Sequence, residues 1–472
     1  MSPSSTRVKR QVSKLRVHPS NPRYFIDDGQ PVVLVGRYCP EVVCWTDREL
    51  GLEMEAFLDW LAELGVNFTQ FWAIHFSARK GMPEPPECNW QSLAPPHMPF
   101  LRTGPGQDFY GLLRYNLARY DPAFFERAHQ FVRGARERGI YVEITLFDRC
   151  GLEPTWPARW WCPCGDVRWA ANPWNPRNSV NRTGLPTEAT EKGGIPAFYD
   201  LKNERLLHLQ QAYVDKMLRE FGDYGHVLFN VCNEYRGGHS DWPEHWVNYL
   251  SDRTDQPVAV NYLGTPPRGA EHARVEAINY HNSASVELVD GGRKAFPLPQ
   301  IDRAIVQDDD GYHPYEGGLD GNAEIRKYAW SCFTAGMHFA TMNHGGAMPA
   351  LEEEWTSKYL LGQLYHQLDL HDMAHMLPFM AKVDFVHMAP HDELLSESHH
   401  GQCLANPGQE YVIYLRYGGA VAVDLSTAKG DLWAEWYNPR SGEYGEQQKA
   451  KGGGLCQFSA PDSEDWVLYL HL

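Results

Sequence analysis

Nowhere in the 472 residues does an apolar run approach the roughly 18 that a membrane-spanning helix needs, and residues 1–18 are basic and polar, without the apolar centre of a secretory leader. No bilayer span and no membrane partner is expected, and a cytoplasmic location is the simplest expectation, with export of a precursor left open. Positive charge is in short supply: 43 Lys and Arg stand against 60 Asp and Glu, a formal net charge of −17, with a pI near 5.6. A polyanion is repelled on average, which removes nucleic acid from the expected partners. Cysteine is sparse as well, ten residues scattered through the chain, too few for a disulfide scaffold. Cys162-Pro-Cys164 lacks a second Cys or His pair at zinc-site spacing. A Gly-rich phosphate loop, a Gly-x-Ser-x-Gly elbow and a His-Glu-x-x-His helix are also missing, so neither a metal nor an organic cofactor is expected.

What is present is an ordinary globular composition, 43% hydrophobic and 22% charged, with an aromatic content of 13%. Many of the rings lie in segments rich in Gly, Pro and Asn, which suggests a binding surface besides a core. From about residue 31, β-rich runs alternate with amphipathic segments. Strands are predicted at 32–36, 68–74, 141–147, 227–231, 258–262, 275–279, 304–307 and 339–342, and helices at 53–64, 122–138, 204–221, 243–252, 323–333 and 352–377. Eight strands with helices between them predict a (β/α)8 TIM barrel, and the nearly continuous apolar runs at 140–147 and 227–231 suit strands covered on both faces. The longest insertion, 150–201, would follow strand three on the face where barrel active sites form. After 390 the pattern changes to short runs at 411–415, 420–425, 433–437 and 466–470 separated by turn residues, which predicts a small antiparallel β-sandwich with Trp433, Trp436 and Trp466 in its core. The expected layout is a flexible N-terminal segment at 1–20, a barrel at 21–389 and the sandwich at 390–472. Oligomeric state is not legible.

The strongest chemical signal is the buried strand that ends in Asn233-Glu234, at the C-terminal rim of strand four. A carboxylic acid there can protonate a leaving oxygen, and the neighbouring Asn can bond a hydroxyl beside the reacting carbon of a sugar. Glycoside hydrolysis requires a second carboxylate across the scissile bond, and Asp308-Asp309-Asp310, at the end of strand seven, supplies one. Alternate side chains of an extended chain face opposite ways, so counting from the apolar strand favours Asp308, and counting back from Gly311 favours Asp309. Other residues expected at the same rim are Arg37 and Tyr38, Trp72 and His75, Asp148 and Arg149, Tyr280 and His281, and Asn343 and His344. Rings would stack on a sugar and polar groups would bond its hydroxyls. Trp160, Trp161, Trp169 and Trp174 in the long third loop are candidate sugar platforms.

Segments spread over nearly the whole chain resemble one family. They are Asn21-Pro-Arg-Tyr-Phe-Ile-Asp-Asp-Gly-Gln-Pro-Val-Val-Leu-Val-Gly36, Pro173-Trp-Asn-Pro-Arg-Asn178, Asn233-Glu234, Tyr315-Glu-Gly317, Trp436-Tyr-Asn-Pro-Arg-Ser-Gly-Glu443 and Asp465-Trp-Val-Leu-Tyr-Leu470. Together they resemble the retaining glycoside hydrolase clan with Asn-Glu on strand four, and within it the apiosidase-like hydrolases that carry a collagen-binding-type β-domain. The resemblance implies a glycoside or oligosaccharide substrate, Glu234 as acid/base and a nucleophile on strand seven. The chain departs from the clan there, carrying aspartates where the clan has Glu followed by one residue and Gly; Glu316 is a reserve candidate. Two other classes fit the same residues: a metal-dependent barrel hydrolase using Asp308 to Asp310, and a sugar-binding barrel without catalysis.

Overall fold

Strands that are apolar on both faces need cover on both sides, and a closed barrel wrapped in helices supplies it. The computed structural model describes residues 12–47, 53–74, 94–154, 167–190, 194–235, 241–263, 277–281, 304–309, 321–342, 370–396 and 401–472; at 262–263, 277–281, 304–309, 321–325, 341–342 and 370–372 the description is of the backbone alone. Eight parallel strands, β1 (Val35–Tyr38), β2 (Phe68–Trp72), β3 (Tyr141–Asp148), β4 (Val227–Asn233), β5 (Val258–Leu263), β6 (Ala277–His281), β7 (Ala304–Asp309) and β8 (His338–Met342), pair in sequence order. The ring shuts where β8 pairs with β1, Phe339 opposite Val35. Between β1 and β2 the approach is so close that a Cβ on Gly36 would overlap the Phe68 carbonyl oxygen, which explains a glycine inside a strand.

Helices α1 (Met54–Glu63), α2 (Pro122–Glu137), α3 (Glu204–Phe221), α4 (Asp241–Ser251) and α5 (Gly321–Thr334) follow β1, β2, β3, β4 and β7. Their starts are local in origin: Asp121 accepts from the Ala123 amide ahead of a proline, and Asn203 accepts from the Leu206 amide. The stretches after β5, β6 and β8 lie outside the described residues, so the ring of strands with five helices defines a TIM-like barrel. Of the helix predicted at 352–377, the described part is a 3-10 turn, Leu370–His375, leading into a short helix, Met376–Met380.

Two features differ from expectation. The N-terminal stretch is structured from residue 12: Arg16–Val17, Phe25–Asp27 and Gln30–Val32 form a small sheet. Val12 and Leu15 are buried with Phe68, Tyr141 and Leu228. The Asp27 carboxylate explains this order. It accepts from the Ser13 amide at 2.8 Å, the Lys14 amide at 2.7 Å and the Tyr141 hydroxyl at 2.8 Å, tying the segment to the start of β3. After β2 comes a hairpin, Phe100–Gln107 with Leu113–Tyr120, that the periodicity did not reveal. Its first strand carries Gly104-Pro105-Gly106 and the pairing has two register shifts, which erase the alternation that marks a strand. The hairpin is fastened to the long third loop by the Tyr115 amide on the Asn178 carbonyl at 2.8 Å and the Phe109 amide on Asn178 Oδ1 at 2.8 Å.

The C-terminal part has a six-stranded and a three-stranded antiparallel sheet. Residues from both, such as Ile413, Leu468, Val421 and Val423, share one apolar cluster. The alternate residues Val412, Tyr414, Val467 and Tyr469 belong to the cluster of the barrel. One sheet therefore has a core on each face. Trp436 and Trp466 are buried as expected, but Trp433 is 41% exposed, because its position in the strand faces the opposite way from Trp436 by odd parity.

Candidate active site

Asn233 and Glu234 sit where β4 ends, at the C-terminal mouth of the ring. Glu234 has φ of +48°, a left-handed conformation that a non-glycine residue holds only when its surroundings require it. The neighbouring strand supplies that requirement. Asn261 of β5 accepts from the Glu234 amide through Oδ1 at 3.3 Å and from the Tyr235 amide through its carbonyl at 2.8 Å. One layer below, Asn230 donates to Glu143 at 2.9 Å and accepts from the Asn261 amide at 3.2 Å. Behind the turn, Tyr235 stacks on Trp242 at 6.1 Å and meets Tyr199 edge to face. The strand end that aims Glu234 is thus held on three sides.

Glu234 is only 8% exposed, and its carboxylate pairs with Arg149. Arg149 donates to Oε2 at 2.6 Å and, through Nε, to the Glu234 carbonyl at 2.6 Å; the Cys150 thiol lies 3.0 Å from the same Oε2. Burial opposes the charge on Arg149, but Cys150, Glu234 and Glu153 around it more than offset that and hold its pKa above the ordinary value. Burial, and then the charges of Glu234 and Asp148, push the Cys150 thiol well above its ordinary value, so it stays protonated and donates. Glu153 binds both Arg149 and Arg168. Asp148 accepts from Asn233 Nδ2 at 3.1 Å and from the amides of Cys150 and Gly151 at 3.0 Å, fixing the turn that presents Arg149 and Cys150.

The backbone of β7 carries Asp308 and Asp309 to the same rim, with Asp308 paired to His281 of β6 and Asp309 to Thr341 of β8. Tyr280 precedes His281 at the end of β6. The side chains of Asp308, Asp309, Tyr280, His281 and Thr341, and all of His75, Asp310, Glu316, Asn343, His344, Trp160 and Trp161, lie outside the described residues. Trp72 joins Tyr38 and Phe68 in the inward cluster of the barrel.

Two predicted binding residues are placed elsewhere. Arg37 is buried with its guanidinium 5.5 Å from the ring of Trp60 on α1, facing the helix layer, while Tyr38, the next residue, faces inward. The parity of β1 decides this, since Leu34 and Tyr38 point in and the odd positions point out. Trp174 is 1% exposed and packs edge to face on Phe100 at 5.3 Å and Phe198 at 5.7 Å. It joins the long loop and the hairpin to the barrel, and Trp169 is likewise buried, donating to the Pro186 carbonyl at 3.2 Å. A ring in that position has no face left for a sugar. Residues missed from sequence are Asn261, Cys150, Glu153 and Arg168. Asn261 carried a usable signal, a single amide in the apolar run Val258-Ala-Val-Asn261, just as Asn230 interrupts β4. Among the described residues no three His, Cys, Asp or Glu gather as a metal site, no disulfide forms, and no helix is long and apolar enough to cross a membrane.

The strand order and the two-sheet extension have counterparts among known proteins. Residues 90–261 match the family described as "Domain of unknown function (DUF6298)", and residues 390–471 match the "Putative collagen-binding domain of a collagenase". No curated protein matches. A glycoside hydrolase family 5 structure from Bacteroides vulgatus ATCC 8482 superposes with a TM-score of 0.65 at 12% identity, covering 97% of this chain and 93% of that one. A structure described as a glycoside hydrolase gives 0.64 at 12% identity, covering 97% and 96%, and a maltogenic alpha-amylase from Thermotoga neapolitana gives 0.54 at 13%, covering 93% and 99%. At such identities the likeness establishes the fold: a TIM-like barrel carrying a C-terminal antiparallel β-domain, shared with glycoside hydrolases.

Proposed function

We propose that the protein is a glycoside hydrolase of the retaining, apiosidase-like kind, cleaving a glycosidic bond in a plant or microbial glycan. The observation that carries this is Glu234, buried and held in a left-handed turn at the end of β4, in a ring whose seventh strand brings Asp308 and Asp309 to the same mouth. Such strain at a strand end in an enzyme-like mouth is where function is sought. In the first step Glu234 gives its proton to the glycosidic oxygen while a carboxylate of Asp308 or Asp309 bonds to the anomeric carbon, and the aglycone leaves. In the second step Glu234 takes a proton from water, which displaces the carboxylate and releases the sugar. In this reading Asn233, whose amide donates to Asp148, bonds the adjacent hydroxyl. An aspartate is one methylene shorter than the Glu of the clan, so retention requires β7 to lie close enough for a carboxyl separation of roughly 5 to 5.5 Å.

The test is Glu234→Gln assayed on two glycosides. On a poor leaving group turnover should fall at least about 100-fold, the usual contribution of general acid catalysis, while an activated aryl glycoside suffers less. Equal losses of only a few-fold on both would remove Glu234 from the reaction. Asn replacement at the nucleophile should abolish turnover, with partial rescue by azide giving inverted product; sugar binding without turnover in the unaltered protein would leave a binding barrel instead.

A further inference from the structure

Glu234 ends a chain of alternating charge. Arg168 pairs with Glu153, Glu153 with Arg149, and Arg149 with Glu234, all with side chains only 10 to 17% exposed. Both ends of the chain sit in left-handed backbone, Arg168 at φ +36° and Glu234 at φ +48°. Arg168 belongs to the long loop after β3, so this chain runs from that loop to the end of β4.

We propose that Arg149 is a positioning residue for Glu234 and that Glu153, by sharing the guanidinium, limits how strongly the carboxylate's charge is held, so that the loop after β3 tunes the acid. The inference rests on the assignment of Glu234 as the acid/base. A guanidinium at hydrogen-bond distance favours the ionised form of a carboxylate, yet a proton donor must keep its proton near working pH. A second carboxylate on the same guanidinium relieves that conflict, and Arg168 keeps the second carboxylate in place. The Cys150 thiol adds a neutral donor that orients Oε2. Among the described residues, the other groups facing this cluster include Asp148, bonded to Asn233 and to the Cys150 amide, and the neutral Asn261, Tyr199, Cys232 and Tyr235 from β4, β5 and the loop before α3. Tyr280, His281, Asp308 and Asp309 on β6 and β7 share the rim and are common to every variant, so they cancel in differences between variants.

The experiment follows the carboxyl infrared band that disappears in Glu234→Gln, titrated with pH in the full-length protein. Arg149→Gln should raise the midpoint of that band by about one pH unit or more. Glu153→Gln should lower it, because the guanidinium is then left wholly to Glu234. The alkaline limb of kcat/KM on an aryl glycoside should move in the same two opposite directions. A purely structural role would weaken both variants without opposite shifts, so movement in one sense, or none, overturns the proposal. If Arg149→Gln fails to fold, Glu153→Gln decides alone: a downward shift supports the proposal, and an unchanged or raised midpoint defeats it. Losses of only a few-fold by Glu234→Gln on both kinds of glycoside would instead remove the assignment of the acid, an outcome the band shifts do not depend on.

Discussion

Replacing Asp465 with Asn tests how the C-terminal domain is held. Asp465 has no exposure and Arg326 of α5 is 4% exposed. The carboxylate accepts from Arg326 Nε at 3.0 Å, from a terminal nitrogen at 2.8 Å and from the Tyr414 hydroxyl at 3.1 Å. Around this pair, Arg416 donates to Ser331 at 2.9 Å, Thr334 to Gln402 at 3.1 Å, and Trp330 stacks on Tyr414 at 6.1 Å. Removing one partner of a buried pair leaves the other charge desolvated, which costs about 3 to 5 kcal/mol. Urea unfolding followed by tryptophan fluorescence should show that loss for Asp465→Asn. Because the penalty comes from the orphaned charge and not from lost attraction, Asp465→Leu combined with Arg326→Met should recover most of it. A loss under about 1 kcal/mol, or a double variant no better than the single one, would refute the view that this pair locks the β-domain onto the barrel.

Two further outcomes follow from burial. His226 and His338 are both buried, and burial lowers each to about 4; His226 Nε2 faces the Val132 carbonyl, and His338 links the Leu34 amide to the Arg23 carbonyl. Since the unfolded imidazoles take protons near 6.5, the contribution of these two histidines is complete above that pH and is lost as pH drops from 6.5 to 4, by about 3 kcal/mol for each. His338→Gln should flatten this fall by about one proton in denaturation curves at a series of pH values, and an unchanged slope would count against the buried neutral imidazole. Trp174→Ala should cost about 3 to 5 kcal/mol through the cavity it leaves, read as a lower unfolding midpoint; unchanged stability with weakened sugar binding would restore it as a platform.

The order of elements was written in the local chain. Eight apolar or alternating runs separated by amphipathic segments predicted the ring, and the run Val227 to Val231 followed by Asn233-Glu234 placed the Glu234 carboxyl at a strand end, because period and chain polarity are properties of neighbouring residues. What surrounds Glu234 was decided at long range. Arg149 meets Glu234 across 85 residues of chain and Asn261 across 27, and no periodicity records such encounters. Direction was also tertiary: whether Arg37 faces the barrel interior or the helix layer depends on the parity of β1 against the barrel axis, and whether Trp174 is a surface or a core ring depends on a hairpin that the Gly-Pro-Gly within its first strand hid. Pattern along the chain determines which elements form, while the side-chain partners of a residue are set by closure of the barrel, which brings together strand ends and loops that share no local signal.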